Sequence, residues 1–144
     1  IETAARTLGL KLVVMQVRSS DELASAFAAM PTGRDVGLSV IQGPLFTSQL
    51  RRLVELAAAR RLPAMYPDSR YVEAGGLISY GPNIVKLYQR AATFIDRILR
   101  GADPAMLPVE QPTTFELAIN SRTARQLQVT ISRAARIRAD IVLE

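Results

Sequence analysis

The chain predicts an α/β fold, a parallel sheet flanked by helices, and three features of the sequence carry that prediction. Short continuous apolar runs alternate with helix-length amphipathic segments, as in chains built from βαβ units. The apolar runs are unbroken by polar residues, which suits strands buried on both faces of a parallel sheet. Finally, the stretch Val72-Glu73-Ala74-Gly75-Gly76-Leu77-Ile78-Ser79-Tyr80-Gly81-Pro82 leads into one long amphipathic helix, and Leu107-Pro108-Val109-Glu110-Gln111-Pro112 leads out of it. A compact domain seldom needs two such punctuated crossings around a single helix. They suit a chain that leaves one domain, lends a helix to another and returns.

The opening Ile1-Glu2-Thr3-Ala4-Ala5-Arg6-Thr7-Leu8-Gly9 reads as the last turns of a helix closed by glycine. With no start methionine and no signal peptide, it is expected to be part of a longer protein with a preceding domain upstream. Residues 12–17 are an apolar run and a predicted strand. Ser19 and Glu22 have capping-box spacing, and Leu23, Ala26, Phe27 and Met30 supply the inner stripe of the helix that follows. Residues 36–41 are a second strand, Gln42-Gly43-Pro44 a tight loop, and 45–61 one long helix with Leu50, Leu53, Val54 and Ala57 facing the core. A third strand spans 62–66, a short helix or turn 68–74, and a fourth strand 77–80. The amphipathic helix runs over 83–100 and ends at Gly101, and a strand at 114–119 joins the sheet.

The 49% hydrophobic content and 144 residues suffice for a buried core, and no apolar run reaches the roughly 18 residues that span a bilayer. The absence of Cys and His removes thiol nucleophiles, imidazole bases and the usual zinc sites. No catalytic residue, metal or cofactor is expected. The net charge is +5, and the basic residues are mostly arginines scattered along helices (Arg51, Arg52, Arg60, Arg61, Arg90, Arg97, Arg100) with acids interleaved. A Lys/Arg run interleaved with stacking aromatics is missing, so no nucleic-acid partner is expected.

Ligands of parallel α/β sheets bind beyond the carboxyl ends of the strands. Here those ends are Arg18-Ser19, Gln42-Gly43-Pro44, Tyr66-Pro67-Asp68 and Tyr80-Gly81-Pro82. The candidate ligand-binding residues are therefore Gln42, Gly43, Pro44, Tyr66, Asp68, Tyr80 and Gly81. Tyr66 and Tyr80 can stack on a small ligand, or simply pack their rings and wet their hydroxyls. Gln42-Gly43-Pro44 can present backbone amides to a carboxylate, or be an ordinary βα turn. Asp68, Arg70 and Glu73 form a charged cluster that lacks a nucleophile and a base tuned near neutrality. Gly75-Gly76 is too short for a phosphate loop and fits a turn needing positive φ.

Several phrases carry a family resemblance: Ala4-Ala5-Arg6-Thr7-Leu8-Gly9-Leu10, Glu22-Leu23-Ala24-Ser25-Ala26-Phe27-Ala28-Ala29-Met30, Gly43-Pro44-Leu45-Phe46, Arg61-Leu62-Pro63-Ala64-Met65-Tyr66, Leu87-Tyr88-Gln89-Arg90-Ala91-Ala92, and the two crossings. The chain resembles the bacterial ABC-transporter substrate-binding proteins related to tryptophan and tyrosine uptake. The resemblance covers the C-terminal half of such a protein and implies the Rossmann-like C-terminal lobe of a type I periplasmic-binding-protein fold. Residues 1–80 would be that lobe's core, 113–144 the return to it, and 81–112 the hinge crossings, with helix 83–100 belonging to the absent N-terminal lobe. Periodicity alone would instead lay this helix on its own sheet, a burial worth on the order of 10 kcal/mol before entropy is subtracted. Two departures stand out. The family usually has Asp where this chain has Gly43, and a Pro pair near Ser132-Arg133, where this tail is more basic.

The function implied is capture of a small amino-acid-like solute, aromatic or otherwise, between two lobes and its delivery to ABC permease subunits. The setting would be the periplasm of a bacterium, or an extracytoplasmic lipoprotein. A ligand-sensing domain of a transcriptional regulator or receptor has the same fold, and a helix-turn-helix upstream would mark it. A small flavodoxin-like α/β enzyme is the third reading, weakened by the missing His and Cys. In a fragment without the other lobe, a second copy is expected to cover helix 83–100, giving a two-fold homodimer.

Overall fold

The computed structural model describes residues 2–33 and 35–144; Ile1 and Arg34 lie outside the described residues. The chain divides into two compact units, Ile1–Pro31 and Thr32–Glu144.

The first unit holds α1 (Glu2–Thr7) and α2 (Glu22–Ala29). As expected, α1 closes on a glycine: Gly9 has φ +67°, and the Leu10 N–H donates back to the Ala5 carbonyl. Leu23 and Phe27 are buried, as the stripe required. The expected capping box does not form. The helix starts at Glu22, and its carboxylate accepts from the Arg18 N–H at 2.8 Å, so it closes the turn one residue earlier than a bond to Ser19 would. Residues 12–17 are likewise not a strand. They pair in no ladder, and Leu12, Val13 and Val14 are exposed. An apolar run sets the tendency to extend, but only a paired neighbour makes it a strand.

The second unit is built on a sheet of five strands among the described residues, in the order β1 (Leu38–Ser39), β2 (Ala64–Tyr66), β3 (Ile78–Pro82), β4 (Phe115–Asn120), β5 (Ile141–Leu143). The first three are mutually parallel, β4 runs antiparallel to β3, and β5 is parallel to β4. Strands predicted at 36–41, 62–66, 77–80 and 114–119 are therefore all present, the first shortened to two residues. The three-residue β5 is one the sequence reading lacks.

The helix expected over 45–61 is two helices, α3 (Pro44–Ser48) and α4 (Leu50–Ala59), because Gln49 leaves helical geometry at φ −106°, ψ 20°. The core stripe survives the break, with Leu53, Val54 and Ala57 buried. After β2, Asp68 caps α5 (Ser69–Glu73) by accepting from the Arg70 N–H. The buried Tyr66, Tyr71, Val72, Ala118 and Ile119 make the centre of the core. Beyond β4, α7 (Ser121–Leu127) is anchored through buried Ser121 and Ala124, and α8 (Arg133–Arg138) precedes β5.

Between β3 and β4 the chain forms α6 (Ile84–Leu99). Asn83 accepts from the Lys86 N–H at its start, and Gly101 has φ +96° just past its end. This is the most amphipathic helix of the chain, yet none of its residues is buried. Leu87, Ile95 and Ile98 are 36%, 58% and 40% exposed. The expectation from periodicity alone, that it lies on its own sheet, is not met. Polar ties hold its start and its middle: Asn83 Nδ2 donates to Glu116 of β4 at 2.6 Å, and Arg90 Nε donates to Glu110 in the second crossing at 2.7 Å.

The Arg90 guanidinium holds the Glu110 carboxyl below the usual glutamate value. A depressed carboxyl contributes stability above its unfolded pKa and loses it as pH falls through the folded one. Glu110 should thus titrate below the ordinary glutamate range by NMR, and Arg90→Gln should return it there. An ordinary Glu110 value in the unsubstituted protein would mean that the tie is not made in solution.

Candidate functional site

Parallel pairing of β1, β2 and β3 brings their carboxyl ends to one edge of the sheet, and the antiparallel β4 begins at that same edge, with Phe115 opposite Pro82. The three candidate segments, 42–44, 66–68 and 80–81, therefore share an edge, as crevice sites of such sheets do.

Gln42, Gly43 and Pro44 line an open depression of about 620 Å³, together with Thr47 and Ser48 from α3. Gln42 is exposed and Gly43 is half-buried in extended backbone, so one amide side chain and one peptide edge are free to meet a solute. Thr47 and Ser48 are absent from the sequence-based set. The signal for them was the helix-opening Pro44, which turns the residues three and four places on back over the same loop.

The other candidates sit differently. Tyr66 is 2% exposed, and its ring stacks on Tyr71 with centroids 5.0 Å apart and planes 13° from parallel. Burial raises its phenol well above the ordinary tyrosine value, so it stays protonated. Asp68 is 4% exposed; besides capping α5 it accepts from Arg70 Nε at 2.9 Å and Nη2 at 2.8 Å. That paired contact raises the Arg70 pKa, and the guanidinium remains half exposed at the rim.

Gly81 is needed for close approach. A Cβ there would lie 1.8 Å from the Pro67 carbonyl oxygen, so this glycine lets β3 run against the segment after β2. Gly76 plays a similar part beneath the ring of Tyr66, where a Cβ would come within 2.6 Å. The positive φ expected of the pair belongs to Gly75, at +106°. Tyr80 alternates to the opposite side of β3 from buried Ser79 and Gly81; it is 53% exposed and stacks on Phe115 at 5.6 Å. The candidates thus fall into an open lip (Gln42, Gly43, Pro44), a buried support (Tyr66, Asp68, Gly81) and an exposed aromatic pair led by Tyr80.

Tyr71 is a further residue that sequence reasoning passed over. It is fully buried, burial pushes its phenol up, and its hydroxyl completes no hydrogen bond. The Ser79 hydroxyl is also buried without a partner. Among the described residues no helix is long and apolar enough to cross a membrane.

The architecture recurs in solved structures. A conserved domain protein from Vibrio cholerae is similar at 28% identity and a TM-score of 0.87, over 98% of this chain and 47% of that one. An ABC domain from Streptococcus pneumoniae, solved in complex with L-Trp, is similar at 27% identity and a TM-score of 0.87, over 98% of this chain and 49% of that one. The ligand-free, open form of a substrate binding protein with adhesive properties from Clostridium difficile shares the fold, at 22% identity and a TM-score of 0.64, over 99% of this chain and 47% of that one. The chain thus spans about half the length of the structures it matches. No match was found among curated proteins. The profile of the ABC transporter substrate binding proteins matches residues 1–143, and with the sheet and its crevice edge in place the chain belongs to that family.

Proposed function

We propose that the chain is one lobe of the solute-binding component of an ABC importer. It would capture a small amino-acid-like molecule, aromatic or otherwise, between two lobes and present it to membrane permease subunits outside the cytoplasm, performing no chemistry itself. The observation that carries the reading is the joint one: a family match along the whole chain, at half the length of its structural relatives, in a chain whose most amphipathic helix buries nothing. On this reading α6 and the crossings around it belong with the other lobe, and residues 1–80 and 113–144 form this one. The L-Trp bound to the Streptococcus pneumoniae domain supports an amino-acid-like solute. A dimer through α6 gains no support from the proteins the chain resembles.

Within the site, Gln42, Gly43 and Pro44 would meet the solute directly, and Tyr80 would offer a ring beside it. Tyr66, Asp68 and Gly81 would set the shape of the wall behind them. The test is calorimetric titration of the complete protein with L-tryptophan, L-tyrosine and a panel of other amino acids. Binding of at least one is expected, and Gln42→Ala should weaken it about tenfold, the worth of one hydrogen bond to a charged group. If no amino acid bound, the solute class would be wrong. Unchanged affinity in the Gln42 variant would remove that residue from the site.

A further inference from the structure

The charge of this chain is not evenly spread. Residues 121–138 hold five arginines, Arg122, Arg125, Arg133, Arg136 and Arg138, and neither an acid nor a lysine. The chain has 18 basic and 13 acidic residues, so the rest of it carries 13 of each and is neutral. The whole net charge of +5 therefore lies in one 18-residue stretch.

All five arginines are exposed, and among the described residues none of the five is ion-paired. The nearest acid in sequence, Asp140, already accepts from the Leu117 N–H at 2.9 Å. The elements that carry the arginines are firmly set. Asn120 caps α7, and the Thr123 hydroxyl donates to the Gly75 carbonyl at 2.8 Å; Ser132 caps α8. Spacings of three place Arg122 with Arg125, and Arg133 with Arg136, on one exposed side of each helix. Ile137, flanked by Arg136 and Arg138, is 73% exposed.

We propose that this stretch is a docking surface for an anionic phospholipid membrane. Guanidinium groups are weakly hydrated and form paired bonds to phosphate oxygens, which suits lipid headgroups. An apolar side chain exposed between cations matches the boundary of headgroup and acyl chain, where Ile137 leaves water while its neighbours stay with phosphate. Nucleic acid fits less well, because the stretch holds no Phe, Tyr or Trp on which a base can stack.

The test uses the complete protein in non-acylated form, sedimented with vesicles containing phosphatidylglycerol and with vesicles of pure phosphatidylcholine, at low and high salt. Binding is expected only to the phosphatidylglycerol vesicles and should fall at high salt. Each cation near such a surface changes partition about fivefold, so R133Q/R136Q/R138Q together should lower it roughly a hundredfold. The control R51Q/R52Q/R97Q removes the same charge from other exposed positions and should lower it far less. Ile137→Ser should weaken binding with the charge unchanged. Absence of binding in the unsubstituted protein, or equal losses in the two triple variants, would overturn the proposal. So would binding of the same arginines to the detergent-solubilised permease with none to vesicles, which would assign them to an acidic protein face.

Discussion

Replacing Gly81 by alanine is expected to cost this lobe about 3 kcal/mol or more, among the largest effects of any single methyl group in the chain. The added carbon would sit 1.8 Å from the carbonyl oxygen of Pro67, and backbone cannot rotate away as the end of a flexible side chain can. Either β3 lifts off the segment after β2, or the Tyr66–Pro67–Asp68 turn moves. Both changes disturb the sheet edge where the crevice lies. Chemical denaturation of the complete protein would show the loss, accompanied by weaker solute binding. As a comparison, Gly101→Ala, where nothing lies within 4 Å of the added carbon, should cost only the strain of its φ of +96°, about 1 kcal/mol. Equal losses at the two positions would show that the contact with Pro67 is not made in solution.

Truncating Tyr66 to alanine should cost about 4 kcal/mol, as for other large buried aromatic side chains. Its ring lies between Tyr71 on one side and the backbone at Gly76 on another, and no small rearrangement fills the space it leaves. Tyr66→Phe keeps the packing and should fall within about 1 kcal/mol of the unsubstituted protein. The phenylalanine variant also separates two roles. Unchanged solute affinity would make Tyr66 part of the wall; a tenfold loss would mean that its hydroxyl reaches the solute through the 2% of the residue that is exposed. Denaturant midpoints and titrations of the two variants answer both questions.

The parts of the fold that were legible are those written as a period. Apolar runs separated by 3.6-period stripes located four strands of the sheet, and buried Leu53, Val54 and Ala57 follow the stripe of their helix. What escaped lacks such a mark. Residues 12–17 read like any buried strand, because an apolar run does not say whether a ladder partner is at hand. The break at Gln49 carries no Gly or Pro. Strand β5 is three residues long, too short for alternation to register.

The site was legible as an edge and less so as a surface. Register pairs Tyr66 with Ser79 and so puts Tyr80 on the opposite side of the sheet, which the sequence does not give; burial decides that Tyr66 supports and Tyr80 is exposed. Thr47 and Tyr71 were missed because each looks like an ordinary helix residue until Gln42–Pro44 are folded beside one and Tyr66 beside the other. For α6, periodicity alone laid the apolar face on its own sheet, where it is not buried. The family resemblance and the two crossings assign that face to another lobe instead.

Hydrogen exchange along α6 tests the two-lobe account most directly. In the complete protein, backbone amides from Leu87 to Ile98 should exchange slowly if, as proposed, the other lobe covers Leu87, Ile95 and Ile98. They should slow further when the solute found by titration is added and the lobes close on it. Exchange as fast as in a solvated helix, with and without solute, would contradict the account and leave α6 an arm with no place in a binding protein.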